Sequence, residues 1–424
     1  MQDNEKKPAL RFKGFTDPWE QRKLDEAFDF TVPNNTLSRA ELNLESGSVW
    51  NVHYGDVLIK YGSVLDAQND ELPFITGRSK DDFKGALLQN GDIIIADTAE
   101  DETTGKVCEI VNIQDKGVVA GLHTMVCRPK SKTAEGYFGY YMNSSSYHHQ
   151  LLPLMQGIKV LSLSKTNVQK TTVKYPKDKA EQQKIADCLR RIDTLITLHQ
   201  RKYEKLVNIK KSMLDKMFPP NGASVPEIRF KGFTDPWEQR KLGEIAVFSK
   251  GVGYSKNDLC EEGTPIILYG RLYTKYETSI FDVDTFVKEK AGSVYSKGGE
   301  VIVPASGETA EDISIASVVV KPGILLGGDL NIVSPTTEYD SAFLALTISS
   351  GAAHKYLSSL AQGKSVVHLH NADIQSVSAK FPTKREQEKI HLLFGKIDTL
   401  ITLHQRKLEK LQNIKKSCLE KMFV

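Results

Sequence analysis

Two long stretches of the chain have hydrophobic residues at alternating spacings of three and four. In residues 181–218 the pattern continues without a glycine or proline until Pro219-Pro220 ends it, and residues 386–423 repeat the pattern. This spacing is typical of a helix whose apolar seam faces a second helix. The sequence therefore predicts two long helices, each about 57 Å long at 1.5 Å per residue.

Both predicted seams are mostly apolar, with matching polar members. His199 and Lys210 interrupt the first seam, and His404 and Lys415 interrupt the second. The seam positions at which we expect helix–helix contact are Ile185, Leu189, Ile192, Ile196, His199, Leu206, Ile390, Ile397, Ile401, His404, Leu408 and Leu411. Further apolar residues that widen the face of the first helix are Leu195, Leu198, Ile209 and Leu214. Such a helix needs a partner, and the other copy is the obvious one.

The chain is an internal duplication. The segment RFKGFTDPWEQRKL at residues 11–24 recurs without change at residues 229–242, and the two helical stretches are identical at 27 of 38 positions. The regions between these repeats have diverged, but Gly91–Ala96 still matches Gly299–Pro304. A period of roughly 200 residues is too long for a solenoid, so we infer a duplicated domain.

The diverged regions predict mixed α/β domains. Their apolar runs are short, β-branched and bounded by glycine or proline, as in 92–96 and 301–303, and short helices are expected near 144–152 and 351–357. The strand order does not follow from these patterns. We therefore expect an α+β protein with four parts, which are a first domain (1–178), a central helix (179–219), a second domain (220–383) and a C-terminal helix (384–424).

Composition and cysteine usage indicate an ordinary globular chain. With 56 Lys and Arg, 53 Asp and Glu, and 40% hydrophobic residues, neither a disordered nor a fibrous protein is expected. We find no apolar run near the ~18 residues of a membrane span and no secretory signal at the start. The five scattered cysteines form no metal or disulfide pattern, so we expect a reducing cytoplasm.

Motifs of autonomous catalysis are absent from the sequence. There is no phosphate-binding loop, no dinucleotide fingerprint and no His-Glu-x-x-His zinc helix. Two histidine pairs do correspond between the halves, His148 with His354 and His199 with His404. For these pairs a polar residue beside a core, or in a coiled-coil seam, is favoured over a metal or catalytic site. We therefore expect no catalytic residue and no metal in this chain.

Positive charge is concentrated on the helices. Residues 181–218 have a net charge of +4 and residues 386–423 one of +3, although the whole chain has only +3. Most of these lysines suit a solvated coiled-coil surface. More specific candidates for DNA contact lie in two pairs of loops that we match between the halves, because arginine can bind guanine and lysine or serine can bind phosphate. These candidates are Arg78, Ser79, Lys80, Lys159, Ser162, Lys165, Arg271, Tyr273, Lys275, Lys364, Ser365 and His368, with Arg78 and Arg271 the leading base contacts.

The order of domain, helix, domain and helix resembles the DNA specificity subunit of type I restriction–modification systems. The resemblance covers nearly the whole chain and includes the two RFKGFTDPWEQRKL segments, the Glu-Gln-x-Lys-Ile approaches to each helix and the Ile-Asp-Thr-Leu-Ile-Thr-Leu-His-Gln-Arg-Lys runs. It implies two target recognition domains, each reading half of a split site in double-stranded DNA. It also implies an antiparallel coiled coil with a pseudo-two-fold axis, and no catalytic centre.

The same resemblance implies partner subunits. Two DNA adenine methyltransferase subunits would bind this chain and supply S-adenosylmethionine, and restriction subunits, where present, would use ATP. A different class remains open, namely a coiled-coil scaffold or adaptor that does not bind DNA. Affinity that falls steeply as salt rises is expected only of the DNA reader.

Overall fold

The computed structural model describes residues 7–220, 222–363 and 366–424, and the chain forms two compact units. Unit 1 comprises Met1–Leu198 with Lys407–Val424, and unit 2 comprises His199–Arg406. Each unit therefore contains one globular domain and parts of both long helices. The division falls within the helices and not at their ends.

The first domain combines many short strands with short helices. Its strands are β1 (Glu20–Lys23), β2 (Phe28–Asp29), β3 (Leu42–Asn43), β4 (Val49–Val52), β5 (Val64–Asp66), β6 (Phe74–Ile75), β7 (Ile93–Ala96), β8 (Thr98–Ala99), β9 (Val107–Val111), β10 (Gly117–Ala120), β11 (Thr124–Pro129), β12 (Leu161–Ser162) and β13 (Thr172–Tyr175). Its helices are α1 (Leu24–Ala27), α2 (Tyr54–Ile59), α3 (Tyr137–Met142), α4 (Ser145–His148) and α5 (Lys165–Gln169), and the long helix α6 (Lys179–Met217) follows.

The second domain likewise combines short strands with short helices. Its strands are β14 (Glu238–Lys241), β15 (Ala246–Lys250), β16 (Leu259–Cys260), β17 (Thr264–Ile267), β18 (Ser279–Ile280), β19 (Phe286–Val287), β20 (Glu300–Pro304), β21 (Ser306–Gly307), β22 (Ser317–Val319), β23 (Leu325–Leu326), β24 (Leu330–Pro335), β25 (Val367–His368) and β26 (Ser378–Phe381). Its helices are α7 (Leu242–Ile245), α8 (Arg271–Thr274), α9 (Ala310–Ile313), α10 (Ser341–Ile348), α11 (Gly351–Leu360) and α12 (Asn371–Ser376), and the long helix α13 (Lys384–Lys421) follows.

The two domains have the same topology, strand for strand. A five-stranded sheet has the order β2-β11-β7-β9-β5 in the first domain and β15-β24-β20-β22-β18 in the second. A four-stranded sheet has the order β10-β4-β6-β3 and, correspondingly, β23-β17-β19-β16. Two small pairings, β1 with β13 and β8 with β12, recur as β14 with β26 and β21 with β25. The duplicated mixed α/β fold that the sequence predicts is confirmed.

The repeated segment clamps the beginning of each long helix. Arg11 forms two hydrogen bonds with Glu181, at 2.7 and 2.9 Å, and Arg229 forms two with Glu386, both at 2.7 Å. Both carboxylates are almost fully buried. A buried carboxylate is costly unless it is paired, so this arginine and this glutamate depend on each other.

The C-terminal end of a long helix completes the core of each domain. Met422 and Phe423 pack in the core of the first domain, where the Phe423 ring lies 6.5 Å from Trp19. In the second domain Phe218 takes this place, 5.9 Å from Trp237. A tryptophan of the repeated segment and the phenylalanine of the Lys-Met-Phe helix end thus meet in the same way in each domain.

The long helices run antiparallel within each unit. In unit 2, His199 meets His404 and Lys210 meets Asp398, so rising numbers on α6 meet falling numbers on α13. In unit 1, Asp193 meets Lys415, while the beginning of α6 shares a core with the end of α13.

The predicted seam positions are buried or half-buried. Those that are buried are Ile185, Leu189, Ile192, Ile390, Ile397 and Leu408, and those that are half-buried are Ile196, His199, Leu206, Ile401, His404 and Leu411. The wider face is different, because Leu214 is half-buried whereas Leu195, Leu198 and Ile209 are exposed. No helix in the described part of the chain is long and apolar enough to cross a membrane.

Candidate nucleic-acid interface

A tight hairpin at residues 156–162, the first Gln-Gly hairpin, presents Lys159 and Ser162. Gln156 N–H donates to the Ser162 carbonyl at 2.9 Å, and the Ser162 N–H donates back at 2.8 Å. Gly157 has a φ of +127°, and a Cβ at this position would lie 1.8 Å from the Val160 carbonyl oxygen. The turn therefore requires glycine. Lys159 and Ser162 are both exposed.

The second Gln-Gly hairpin, residues 362–368, is closed in the same way. Its backbone hydrogen bonds measure 3.1 and 2.8 Å, and Gly363 has a φ of +139° with the Val366 carbonyl 1.9 Å from its would-be Cβ. Exposed His368 has its Nδ1 3.1 Å from the Ser306 hydroxyl. The other two candidates on this hairpin, Lys364 and Ser365, lie outside the described residues.

Lys165 follows the first hairpin but is engaged elsewhere. It begins α5, and its ammonium group donates to the carbonyl of Phe30. The side chain is exposed enough for solvent to reach it, yet this hydrogen bond holds it against the domain. The first hairpin thus brings together two of its three candidates.

In the loop around Arg78, the two residues that follow the arginine form hydrogen bonds within the domain. The Ser79 N–H donates to Asp82 at 2.7 Å, and the Ser79 hydroxyl lies 3.2 Å from the same carboxylate oxygen. Lys80 donates to the Asp115 carbonyl. Arg78 is exposed, so its guanidinium is the group of this loop that a ligand can reach most directly.

The correspondence that the sequence suggests between the Arg78 and Arg271 loops is wrong. Arg78 follows β6, whose counterpart in the second domain is β19, whereas Arg271 begins α8 after β17. The structural counterpart of α8 is α2, which follows β4. Both loops contain glycine and basic residues, but sequence alone could not show which strands precede them in the sheet.

Arg271 lies in an ion-pair network and does not project into solvent. Only 7% of its side chain is exposed, and its guanidinium bonds Asp284 at 2.6 Å and Glu277 at 2.8 Å. It also donates to the Asp282 carbonyl at 3.2 Å. A base contact would require these bonds to break, so in this conformation the geometry does not fit the role of a leading base contact.

Tyr273 and Lys275 have partners in the same region. The Tyr273 hydroxyl donates to the Ser306 carbonyl at 2.5 Å, and burial raises its pKa. Lys275 pairs with Asp284 at 2.7 Å. The hydrogen bonds from Lys275 and Arg271 lower the pKa of Asp284 to about 2, so this carboxylate is ionised at neutral pH.

The matched histidines have structural partners. His148 Nε2 lies 2.8 Å from the Glu102 carbonyl, and His354 Nδ1 lies 2.9 Å from the Ser314 carbonyl. His199 and His404 approach each other with Nδ1 atoms 2.7 Å apart in the helix seam. Among the residues that the structure describes, no group of three or more His, Cys, Asp or Glu side chains is arranged to hold a metal ion. The five cysteines, all within the described part, are free.

Sequence reasoning missed an apolar feature of the first Gln-Gly hairpin. Ile158 is fully exposed at its tip, and Val160 is half exposed. An isolated isoleucine between Gly157 and Lys159 was the available signal. In complexes of other proteins with DNA, exposed apolar side chains at the interface contact thymine methyl groups or enter between base pairs.

Comparison with protein families gives a match over most of the chain. The profile described as "Type I restriction modification DNA specificity domain" matches residues 16–208 and again 234–413. The type I restriction enzyme MjaVIII specificity subunit of Methanocaldococcus jannaschii is 24% identical over 58% of this chain, which spans 60% of that protein's length. The putative MjaX specificity subunit of the same organism is 22% identical over 94% of this chain and 91% of its own.

A solved structure supports the fold. The type I restriction–modification S subunit from M. genitalium superposes with a TM-score of 0.59 over 99% of both chains, at 14% identity. At this identity the similarity shows the fold alone.

Proposed function

Because two matches span most of its length, this chain belongs to the type I restriction–modification DNA specificity domain family, and we propose that it reads a bipartite DNA target. The family that the repeats indicate is thereby confirmed. Members of this family are non-catalytic specificity subunits with a role in sequence-specific DNA recognition.

The duplicated topology is the observation that carries the proposal. Every strand pairing of the first domain recurs in the second, although the domain sequences have diverged much further than the helices and clamps. A scaffold would have no evident need for two divergent domains on a constant frame. Two domains that recognise different half-sites would need different surfaces on a common frame.

The Gln-Gly hairpins and the Arg78 loop are the proposed DNA contacts. Each hairpin has a glycine that no other residue could replace, Gly157 or Gly363, and the first exposes a lysine, a serine and an isoleucine on a short segment. Lysine and serine suit phosphate oxygens, whereas isoleucine suits a thymine methyl group. We retain Lys165, Tyr273, Lys275, Lys364, Ser365 and His368 as secondary candidates, and Arg271 as a residue that supports the loop.

Exposed aliphatic residues on the helices support recruitment of methyltransferase subunits. Leu195 and Leu198 in unit 1 are 44% and 47% exposed, and their counterparts in unit 2, Leu400 and Leu403, are 43% and 44% exposed. All four lie within an eleven-residue run that is identical in the two helices. Seam packing does not require these exposed leucines, so we assign them to two equivalent docking surfaces, one per methyltransferase subunit.

The partner subunits would supply the chemistry. Two methyltransferase subunits would bind S-adenosylmethionine and methylate adenine within the target, and added restriction subunits would use ATP. This chain would select the site for both activities in the cytoplasm. Its small net charge of +3 suits a reader whose partners contribute to phosphate binding.

Methylation mapping tests the proposal. The chain is expressed with its methyltransferase subunit in cells that lack other adenine methylation, and methylated positions are mapped across the genome. We expect one motif with two unlike halves and a constant gap. A steep loss of DNA affinity with rising salt should accompany it. Methylation without sequence preference, or no selective binding of DNA, would instead support the scaffold.

Insertion into a helix tests whether the helices set the gap. Four residues added to α6 lengthen it by about 6 Å, close to two base pairs at ~3.4 Å each. We expect unchanged half-sites separated by a longer gap. An unchanged gap in an active complex would show that the helices do not determine the distance.

A further inference from the structure

One aspartate in unit 1 joins three elements. Asp193 of α6 pairs through Oδ1 with Lys415 of α13 at 2.6 Å. Its other oxygen, Oδ2, accepts a hydrogen bond from the Tyr140 hydroxyl at 2.8 Å. Tyr140 belongs to α3 of the first domain, so the carboxylate connects both helices and the domain.

The matching aspartate in unit 2 makes the same connections. Asp398 of α13 pairs through Oδ1 with Lys210 of α6 at 2.6 Å, and its Oδ2 accepts from the Thr278 hydroxyl at 2.9 Å. The Lys210 ammonium also lies 5.7 Å from the centre of the Tyr276 ring. About a quarter of each aspartate side chain is exposed, so both ion pairs are partly shielded from water.

The two hydroxyl donors come from different places in the fold. Tyr140 lies in a helix, whereas Thr278 immediately precedes β18, whose counterpart in the first domain is β5. The domains have therefore diverged around this joint and still present a hydroxyl to the same carboxylate oxygen. The two positions are neighbours in space, because Ser63, the counterpart of Thr278, lies against Gly139, and each domain thus supplies the hydroxyl from a different residue of the same region.

Each joint adds a directional bond to the other attachments of its domain. In unit 1, α6 enters the domain core through Leu189, and the next residue, Arg190, bonds Glu135 of the domain. In unit 2, Ile397, which adjoins Asp398, is itself part of the domain core. Apolar contacts have no preferred direction, whereas a hydrogen bond does, so the bond to the aspartate restricts rotation of the domain about its apolar attachment.

We propose that Asp193 and Asp398 are positioning residues that fix the angle of each recognition domain on its helix pair and so determine how strictly the complex measures the gap between half-sites. This inference rests on the proposed function, since it concerns the split target. Adding one base pair moves a half-site by only ~3.4 Å along the DNA axis and rotates it by about 35°. Strict measurement at this scale requires rigid support of the reading domain.

The test uses the full chain assembled with its methyltransferase and a series of duplexes. All duplexes contain the same two half-sites, with the native gap or one base pair more or less. For the double variant D193A/D398A we expect the methylation rate on the native-gap duplex to stay within a few-fold of the wild-type rate. The ratio of the native-gap rate to the altered-gap rates should fall roughly tenfold, because the variant lacks two partly buried ion pairs that hold the domains in place. The half-site sequences should not change.

Two further variants make the result decisive. Y140F/T278V removes only the hydroxyl donors and should shift the gap preference in the same direction by a smaller factor. Asp215→Ala, at an exposed position of α6, should leave it unchanged. Undiminished gap preference in D193A/D398A overturns the inference, and if that variant does not assemble, undiminished preference in Y140F/T278V does so. A wild-type complex without any split-site preference would instead refute the proposed function.

Discussion

Unit 1 and unit 2 are built on one plan and differ where each domain faces solvent. Both have the arginine–glutamate clamp, the phenylalanine beside a tryptophan and the aspartate that ties domain to helices. The sequences of the Gln-Gly hairpin tips and of the loops after matching strands have changed. The clamps and the helix aspartates have stayed constant, whereas the candidate reading surfaces have not.

The interiors also differ in one ionisable group. Glu109 lies in the centre of the first domain and accepts hydrogen bonds from the Gly136 and Gly139 N–H groups at 2.6 and 3.0 Å. At the corresponding register position, opposite Val301, the second domain has Val318. The same fold thus tolerates a carboxyl or an isopropyl group at one buried site, provided that the carboxyl has donors.

The largest effect is expected from removing the second half of the chain, residues 220–424. Residues 1–219 keep the first domain and α6 but lose the Met422-Phe423 end that completes the domain core. A second copy offers Met217-Phe218 in its place, so we expect a two-fold homodimer by light scattering. With the methyltransferase it should modify a palindromic split site. A soluble monomer would contradict this expectation, and Phe218→Asp is a matched variant that should not dimerise.

The second largest effect is expected from breaking one of the two arginine–glutamate clamps. Arg229→Ala leaves Glu386 buried without its partner, which is expected to reduce the free energy of unfolding of unit 2 by about 3–5 kcal/mol. Arg11→Ala should do the same in unit 1. Urea unfolding combined with limited proteolysis identifies the affected unit. Arg240→Ala, an exposed arginine of the same repeated segment, is the control. Equal losses in all three variants would argue against the clamp.

The buried carboxyl should make only the first domain pH-sensitive. Burial raises the pKa of Glu109 from 4.5 to about 7. Between these values the folded domain binds more protons than the unfolded chain, so its stability falls as pH rises from about 4.5 to 7. The loss is on the order of 3 kcal/mol. Glu109→Gln should remove this dependence, and Val318→Ala should leave the pH response of the second domain unchanged. Thermal unfolding from pH 5 to 8 measures both.

The sequence predicts Arg78 and Arg271 as base contacts, but replacing them should have different effects. Arg271→Ala should destabilise the second domain, because it leaves Asp284 and Glu277 without their shared partner. Arg78→Ala should leave stability unchanged and weaken discrimination at the first half-site by roughly 1–3 kcal/mol, the range for a bidentate base contact. Methylation mapping and thermal unfolding distinguish the outcomes. A stable Arg271→Ala protein with altered preference at the second half-site would restore Arg271 as a base contact.

Repeats and periodicity were sufficient to predict much of this protein. The offset of identical segments shows a duplication, and the spacing of three and four shows both helices with bounds close to those in the structure. Both signals can be seen without a structure, because a repeat is visible in the chain itself and seam residues of a helix recur within a few positions of one another. The family resemblance rested on the same local signals and predicted two domains on an antiparallel helix pair.

Tertiary structure alone decided which side chains are available to a ligand. Arg78 and Arg271 occupy similar glycine-containing loops in the sequence, yet one is exposed and the other is held by carboxylates six and thirteen residues further along the chain. The aspartate joints depend on Tyr140 and Thr278, which no repeat aligns. Composition and spacing determine which element a residue belongs to, but only the folded backbone decides which side chains come within bonding distance of each other, whether they are near or distant in the chain.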